Sequence, residues 1–137
     1  MIRTFDLDKM MYRLLVESGV EDYISGGVYM QGERPVDSEM EDIMISHISL
    51  TMDAIPQTAY TNVNIYAGDV IANVGGAAMN VVDIERLDSI SDVVVKAIEG
   101  CRTPGIALRV ENMTLVKDGQ INQHYVNIRV YWTIAIY

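Results

Sequence analysis

The chain has 137 residues, half of them apolar, with 19 acidic against 10 basic side chains and a formal net charge of −9. A length of this order buries roughly 68% of the unfolded surface, enough for one core without staples, and the lone Cys101 excludes an internal disulfide framework. The acidic balance excludes a general grip on nucleic-acid phosphate, which needs clustered Lys and Arg.

The first element reads as a helix from about Leu7 to Ser18. Leu7, Met10, Met11, Leu14 and Leu15 recur at spacings of three and four, which makes one apolar face. Asp6 or Asp8 would cap its positive end and Gly19 would stop it. Asp6, Asp8, Lys9 and Glu17 also make this stretch a poor secretory leader, and no run of about 18 apolar residues predicts a membrane span. Tyr23-Ile24 and Val28–Met30 read as short extended pieces around Gly26-Gly27. Residues 31–42, with Gly32, Pro35 and several carboxylates, read as an exposed, flexible loop that only Val36 and Met40 could anchor.

A strand follows from Ile43 to Met52, with Met44, Ile48, Leu50 and Met52 on one parity and Ile43 and Ile45 on the other. Pro56 marks the break. A second strand runs from about Ala59 to Ala67. Val63, Ile65 and Ala67 face one way, and Tyr60, Asn62, Asn64 and Tyr66 the other, which predicts a sheet with one buried and one polar face. Residues 68–82 are rich in Gly and Ala, show no strong period and read as a second flexible loop. Asp83 then caps a helix whose apolar face is Ile84, Leu87, Ile90, Val94, Val95 and Ile98. Glu85 in its first turn and Lys96 near its end suit the helix dipole, and Gly100 and Pro104 close it.

The last third reads as a hairpin. Ile106, Leu108, Val110, Asn112 and Thr114 share one face of its first strand, and Val126, Ile128, Val130, Trp132, Ile134 and Ile136 one face of its second. Matching the apolar faces selects a three-residue loop of Lys117, Asp118 and Gly119, pairing Val116 with Gln120, Val110 with Val126, Leu108 with Ile128 and Ile106 with Val130. The second strand, some 17 residues to Tyr137, would span roughly 55 Å if straight. It would outrun its partner and must bend, pair with the 59–67 strand or offer an edge to another chain. The fold class is α+β: a single domain over residues 1–137, with one mainly antiparallel sheet of about four to five strands covered on one face by two helices.

No catalytic, metal-binding or cofactor-binding set is expected. His47 and His124 sit at strand positions without a second ligand at metal spacing. Cys101 has no nearby base, and the carboxylate pairs read as solvated surface. Gly75-Gly76 lacks the lysine of a phosphate loop. Asn112-Met113-Thr114 matches a glycan acceptor, which has no use without secretion. Met10, Met11, Met44 and Met52 are expected as core filler. The residue set best suited to contact is Tyr60, Asn62, Asn64, Tyr66, Tyr125, Tyr131 and Tyr137. That face is either an interaction surface or a merely solvated polar one.

The element order, together with Asn64-Ile65-Tyr66-Ala67, Ala97-Ile98-Glu99-Gly100, Lys117-Asp118-Gly119 and the long final strand, resembles the tail terminator (tail-completion) proteins of long-tailed bacteriophages and prophages. The resemblance spans about residues 7–137. It implies a non-enzymatic structural protein of the virion tail, made in the host cytoplasm. Such a protein forms a homo-oligomeric ring, commonly a hexamer, at the head-proximal end of the tail tube. Its partners would be itself, the tail-tube protein and the neck or head-completion proteins, with no specific nucleic-acid binding and no membrane. A head–neck completion protein has the same layer architecture. A small enzymatic or ligand-binding domain would instead need a pocket of convergent polar groups around His47 or His124.

Overall fold

Two long alternating segments set the frame. Gln57–Gly68 and Gln123–Ile134 pair antiparallel over their whole length, from Gln57 opposite Ile134 to Gly68 opposite Gln123. The computed structural model describes residues 2–119 and 122–135. In chain order its elements are α1 (Thr4–Glu17), a 3-10 turn (Val20–Tyr23), β1 (Val28–Met30), β2 (Ile43–Leu50) and β3 (Gln57–Gly68). They continue with β4 (Val70–Val74), β5 (Ala77–Val81), α2 (Ile84–Glu99), β6 (Ile106–Asp118) and β7 (Gln123–Ile134). Five strands form one sheet in the order β1-β2-β3-β7-β6, and β4-β5 form a separate two-stranded ribbon. Only β1 runs parallel to its neighbour, so the sheet is mixed and the fold is α+β.

Both helices lie on one face of the sheet. Leu7, Met11 and Leu15 of α1 and Leu87, Ile90, Val94 and Ile98 of α2 meet Ile43, Ile45, Val63, Ile65, Ile128, Val130 and Ile134 in a single core. Trp132 is fully buried there, and its indole Nε1–H donates to Thr61 Oγ1 at 3.0 Å, which satisfies both polar groups inside the core. α1 begins three residues earlier than expected. Asp6 is not the N-cap residue, which is Arg3, but it serves the helix start from the third helical position: its Oδ2 accepts from the Arg3 backbone N–H at 2.8 Å in a capping box. Asp83 does cap α2, accepting from Arg86 N–H at 3.2 Å.

The loop over residues 31–42 is held by polar groups, contrary to the expectation that Val36 and Met40 would anchor it. Both are exposed, Val36 almost completely. The anchor is Asp42, which is buried and accepts from Gly27 N–H at 3.1 Å, Arg34 Nε at 3.0 Å and Ser38 Oγ at 2.5 Å. Arg34 reaches on to Gln123 Oε1 at 2.9 Å, tying the loop to β7. Gly26 is required at this join: a Cβ there would lie 1.8 Å from Asp42 Oδ1 and 2.6 Å from Glu41 O. Glu41 in turn pairs with Arg86 on α2.

Residues 68–82 are also more regular than expected. β4 and β5 form a hairpin turned by Gly75 and Gly76, whose φ values of 60° and 85° are those of a tight primed turn.

The β6–β7 register corrects the expected one. Val110 faces Val130, Leu108 faces Trp132 and Ile106 faces Ile134, a shift of four residues from the predicted pairing. Lys117 and Asp118 lie in β6 rather than in the turn, and β7 starts at Gln123; the predicted partner Gln120 lies outside the described residues. A bulge between Val110 and Asn112 then inverts the parity. Met113 and Leu115 therefore share the helix side with Val110, and Asn112 and Thr114 turn to the other side. β7 takes one of the expected courses: it pairs with β3 along its whole length, and among the described residues it ends at Ile134, level with Ile106 of β6, as a 12-residue central strand paired on both edges; Ile136 and Tyr137 lie outside the described residues. β2 ends at Leu50 and has its own irregularity between His47 and Ser49, and Met52 is exposed rather than core filler.

Two outcomes test these joins. Asp42→Ala leaves the largely buried Arg34 guanidinium without its carboxylate and the Gly27 N–H without its acceptor. Urea denaturation should show a loss of about 3 kcal/mol; a loss below about 1 kcal/mol would mean that water replaces the carboxylate. The second concerns acid. The Arg86 hydrogen bond holds the Glu41 carboxyl below its ordinary range. A lowered folded-state value stabilises above the unfolded pKa and is lost as pH falls through the folded one. Stability should therefore drop below about pH 4.5, less steeply in Arg86→Ala, as followed by thermal melts across acid pH.

Candidate functional site

Unbroken pairing of β3 with β7 puts every second residue of both strands on the face away from the helices. Tyr60 lies opposite Tyr131, Asn62 opposite Arg129, Asn64 opposite Asn127 and Tyr66 opposite Tyr125. Six of the seven contact residues expected from the sequence are thus gathered in one ladder. The seventh, Tyr137, lies outside the described residues. Among the described residues no helix covers this face.

The ladder is ordered by its own side chains. The Tyr60 and Tyr131 rings meet edge to face at 5.2 Å, and the Tyr66 and Tyr125 rings stack at 4.9 Å. Between them, Asn127 Nδ2 donates to Asn62 Oδ1 at 3.1 Å and Asn64 Oδ1 at 2.7 Å. Three arginines join this face of an acidic protein. The Arg34 guanidinium sits 3.8 Å above the Tyr66 ring, Arg109 5.0 Å from Tyr131 and Arg129 5.7 Å from Tyr60. Arg34 covers Tyr66 enough to bury it, whereas Tyr60, Tyr125 and Tyr131 stay half-exposed. Desolvation, followed by the charge and hydrogen bond of Glu111, holds the Tyr60 hydroxyl above the ordinary tyrosine range. Desolvation also raises that of Tyr66, with Arg34 opposing it.

Sequence reasoning missed Asn127 and Arg129, although the two-residue period linking Tyr125 to Tyr131 contains both. Arg109 shares this face because it alternates with Leu108 and Val110. Arg34 carried no signal, since a loop residue 89 positions before Gln123 reaches the sheet only through the fold.

Both histidines have a carboxylate partner. His47 Nδ1 lies 2.9 Å from Asp8 Oδ2, linking β2 to α1, and His124 Nδ1 lies 2.6 Å from Asp69 Oδ1. Beside His47 is an open cleft that also includes Phe5, Lys9, Met30 and Glu33; its lining contains no hydroxyl or thiol nucleophile. Among the described residues no three His, Cys, Asp or Glu side chains converge on a metal position, and no helix is long and apolar enough to cross a membrane.

The arrangement presents flat aromatic surface, fixed amides and guanidinium groups on a rigid sheet. Such a surface suits contact with another protein. Glu111→Gln should lower the Tyr60 pKa, read by spectrophotometric titration against Tyr60→Phe; an unchanged titration would separate the two groups. Asn127→Ala removes both amide bonds and should destabilise by about 1 kcal/mol in urea melts. No protein-family model matches this chain, and no curated protein matches it in sequence.

Proposed function

We propose that the chain is a non-enzymatic structural component of a phage or prophage tail. In this reading it forms a ring at the head-proximal end of the tail tube, ends tube polymerisation and joins the tail to the neck. The observation that carries the reading is the uncovered β3–β7 face, where Tyr60, Tyr66, Tyr125 and Tyr131 are held in register by Asn62, Asn64 and Asn127. Aromatic residues with one polar atom each are the residues that dominate protein contacts, and here they stand on strands rather than loops. The net charge of −9 also suits a ring that DNA passes, since an acidic wall does not hold phosphate. The resemblance in element order supplies the tail position.

Native mass spectrometry of the purified chain tests this. A ring-sized oligomer should appear alone or on mixing with tail-tube protein, and Tyr60→Ala/Tyr131→Ala should weaken capture of tube protein roughly tenfold or more. A strict monomer that ignores tube protein would overturn the reading.

A further inference from the structure

The β4–β5 ribbon is the least explained part of the fold. Its register places Val70, Val81, Ala72, Met79, Val74 and Ala77 on one side and Ile71, Asn80, Asn73 and Ala78 on the other. One side is therefore wholly apolar, yet Val70, Val74 and Met79 are all roughly half-exposed. Among the described residues the ribbon makes no extensive packing contact with the helices or the larger sheet. A two-stranded hairpin is at best marginally stable alone in water, and a continuous apolar face on a monomer marks a contact. From Val70 to Val82 there is no charged residue.

The same chain carries a matching recess. Where the chain returns from the ribbon, Ile84 and Leu87 of α2 face Met113, Leu115 and Val126 of β6 and β7 across an apolar groove. Ile84, Met113 and Leu115 are exposed. Ser91 also lines this groove, with its hydroxyl buried and without a hydrogen-bond partner among the described residues. Asp88 is the one charged residue in the lining.

We propose that the β4–β5 ribbon of one copy docks its apolar side into the α2–β6 groove of a second copy. The occupant follows from charge. At −9, two copies repel over most of their surfaces, and repulsion is least where the uncharged ribbon meets a groove whose lining carries Asp88 alone. Ribbon and groove are different surfaces, so the contact is head-to-tail and builds a ring when its rotation closes. The contact concerns self-association alone and stands whether or not the assembly belongs to a tail.

Three proteins test it by size-exclusion chromatography with light scattering: the wild type, a ribbon variant (Val74→Asp/Met79→Asp) and a groove variant (Leu115→Asp). The wild type should assemble, and each variant should need roughly a hundredfold higher concentration to do so. Mixing the two variants should give one-to-one pairs, because each retains the patch the other lacks. As an independent measurement, Met79→Cys and Leu115→Cys copies, both with Cys101→Ser, should be joined to each other by a short bifunctional maleimide. Variants that assemble like the wild type, a mixture that stays monomeric or an absence of cross-linking would each overturn the contact. So would a monomeric wild type, the outcome expected if another protein or a lipid surface covers the ribbon. Rings that persist in both variants would refute the ribbon contact while sparing the tail reading. Assembly lost in the variants but indifferent to tube protein would do the reverse.

Discussion

The uninterrupted pairing of β3 with β7 is the constraint on which the rest depends. Both strands are 12 residues long and neither contains a bulge along their shared edge. Side chains alternate strictly along such a pair. Val63, Ile65, Ile128 and Val130 therefore fall under the helices, and the tyrosines and asparagines fall together on the far side. A one-residue slip would exchange the two sets and put Tyr60 and Asn62 into the core. The Trp132–Thr61 hydrogen bond lies within this pairing and is only possible in this register.

Much of this was legible because it rests on local period. The helical faces of α1 and α2, the Asp83 cap and the alternation of β3 are all written within a few residues. The β6–β7 register was not, because two cues conflicted. Lys117-Asp118-Gly119 looks like a turn, and Ile106 to Thr114 looks like one continuous face. The bulge at Glu111 resolves the conflict by inverting parity midway, so that Met113 and Leu115 rather than Asn112 and Thr114 join the helix side. A bulge leaves no mark on a period-two pattern except an apparent change of face.

The anchoring of the loop over 31–42 is hidden from the sequence for a different reason. Its tether is a buried carboxylate serving a guanidinium, a hydroxyl and a backbone amide at once. Hydropathy cannot see such an anchor, since Asp42 and Arg34 count as surface residues until they are paired. The Tyr66 ring beneath Arg34 couples this anchor to the contact ladder, so the conformation of the loop and one end of the ladder are set together.

The borders of the five-stranded sheet have a consequence of their own. One border is β1, only three residues long; the other is β6, whose run of 13 is broken by the bulge at Glu111. A short border strand and a bulged, charged one are poor templates for adding further strands. Amyloid-like stacking of sheet on sheet edge is thereby discouraged at both ends. The five-stranded sheet can thus carry an exposed aromatic face without also growing strand by strand at its borders.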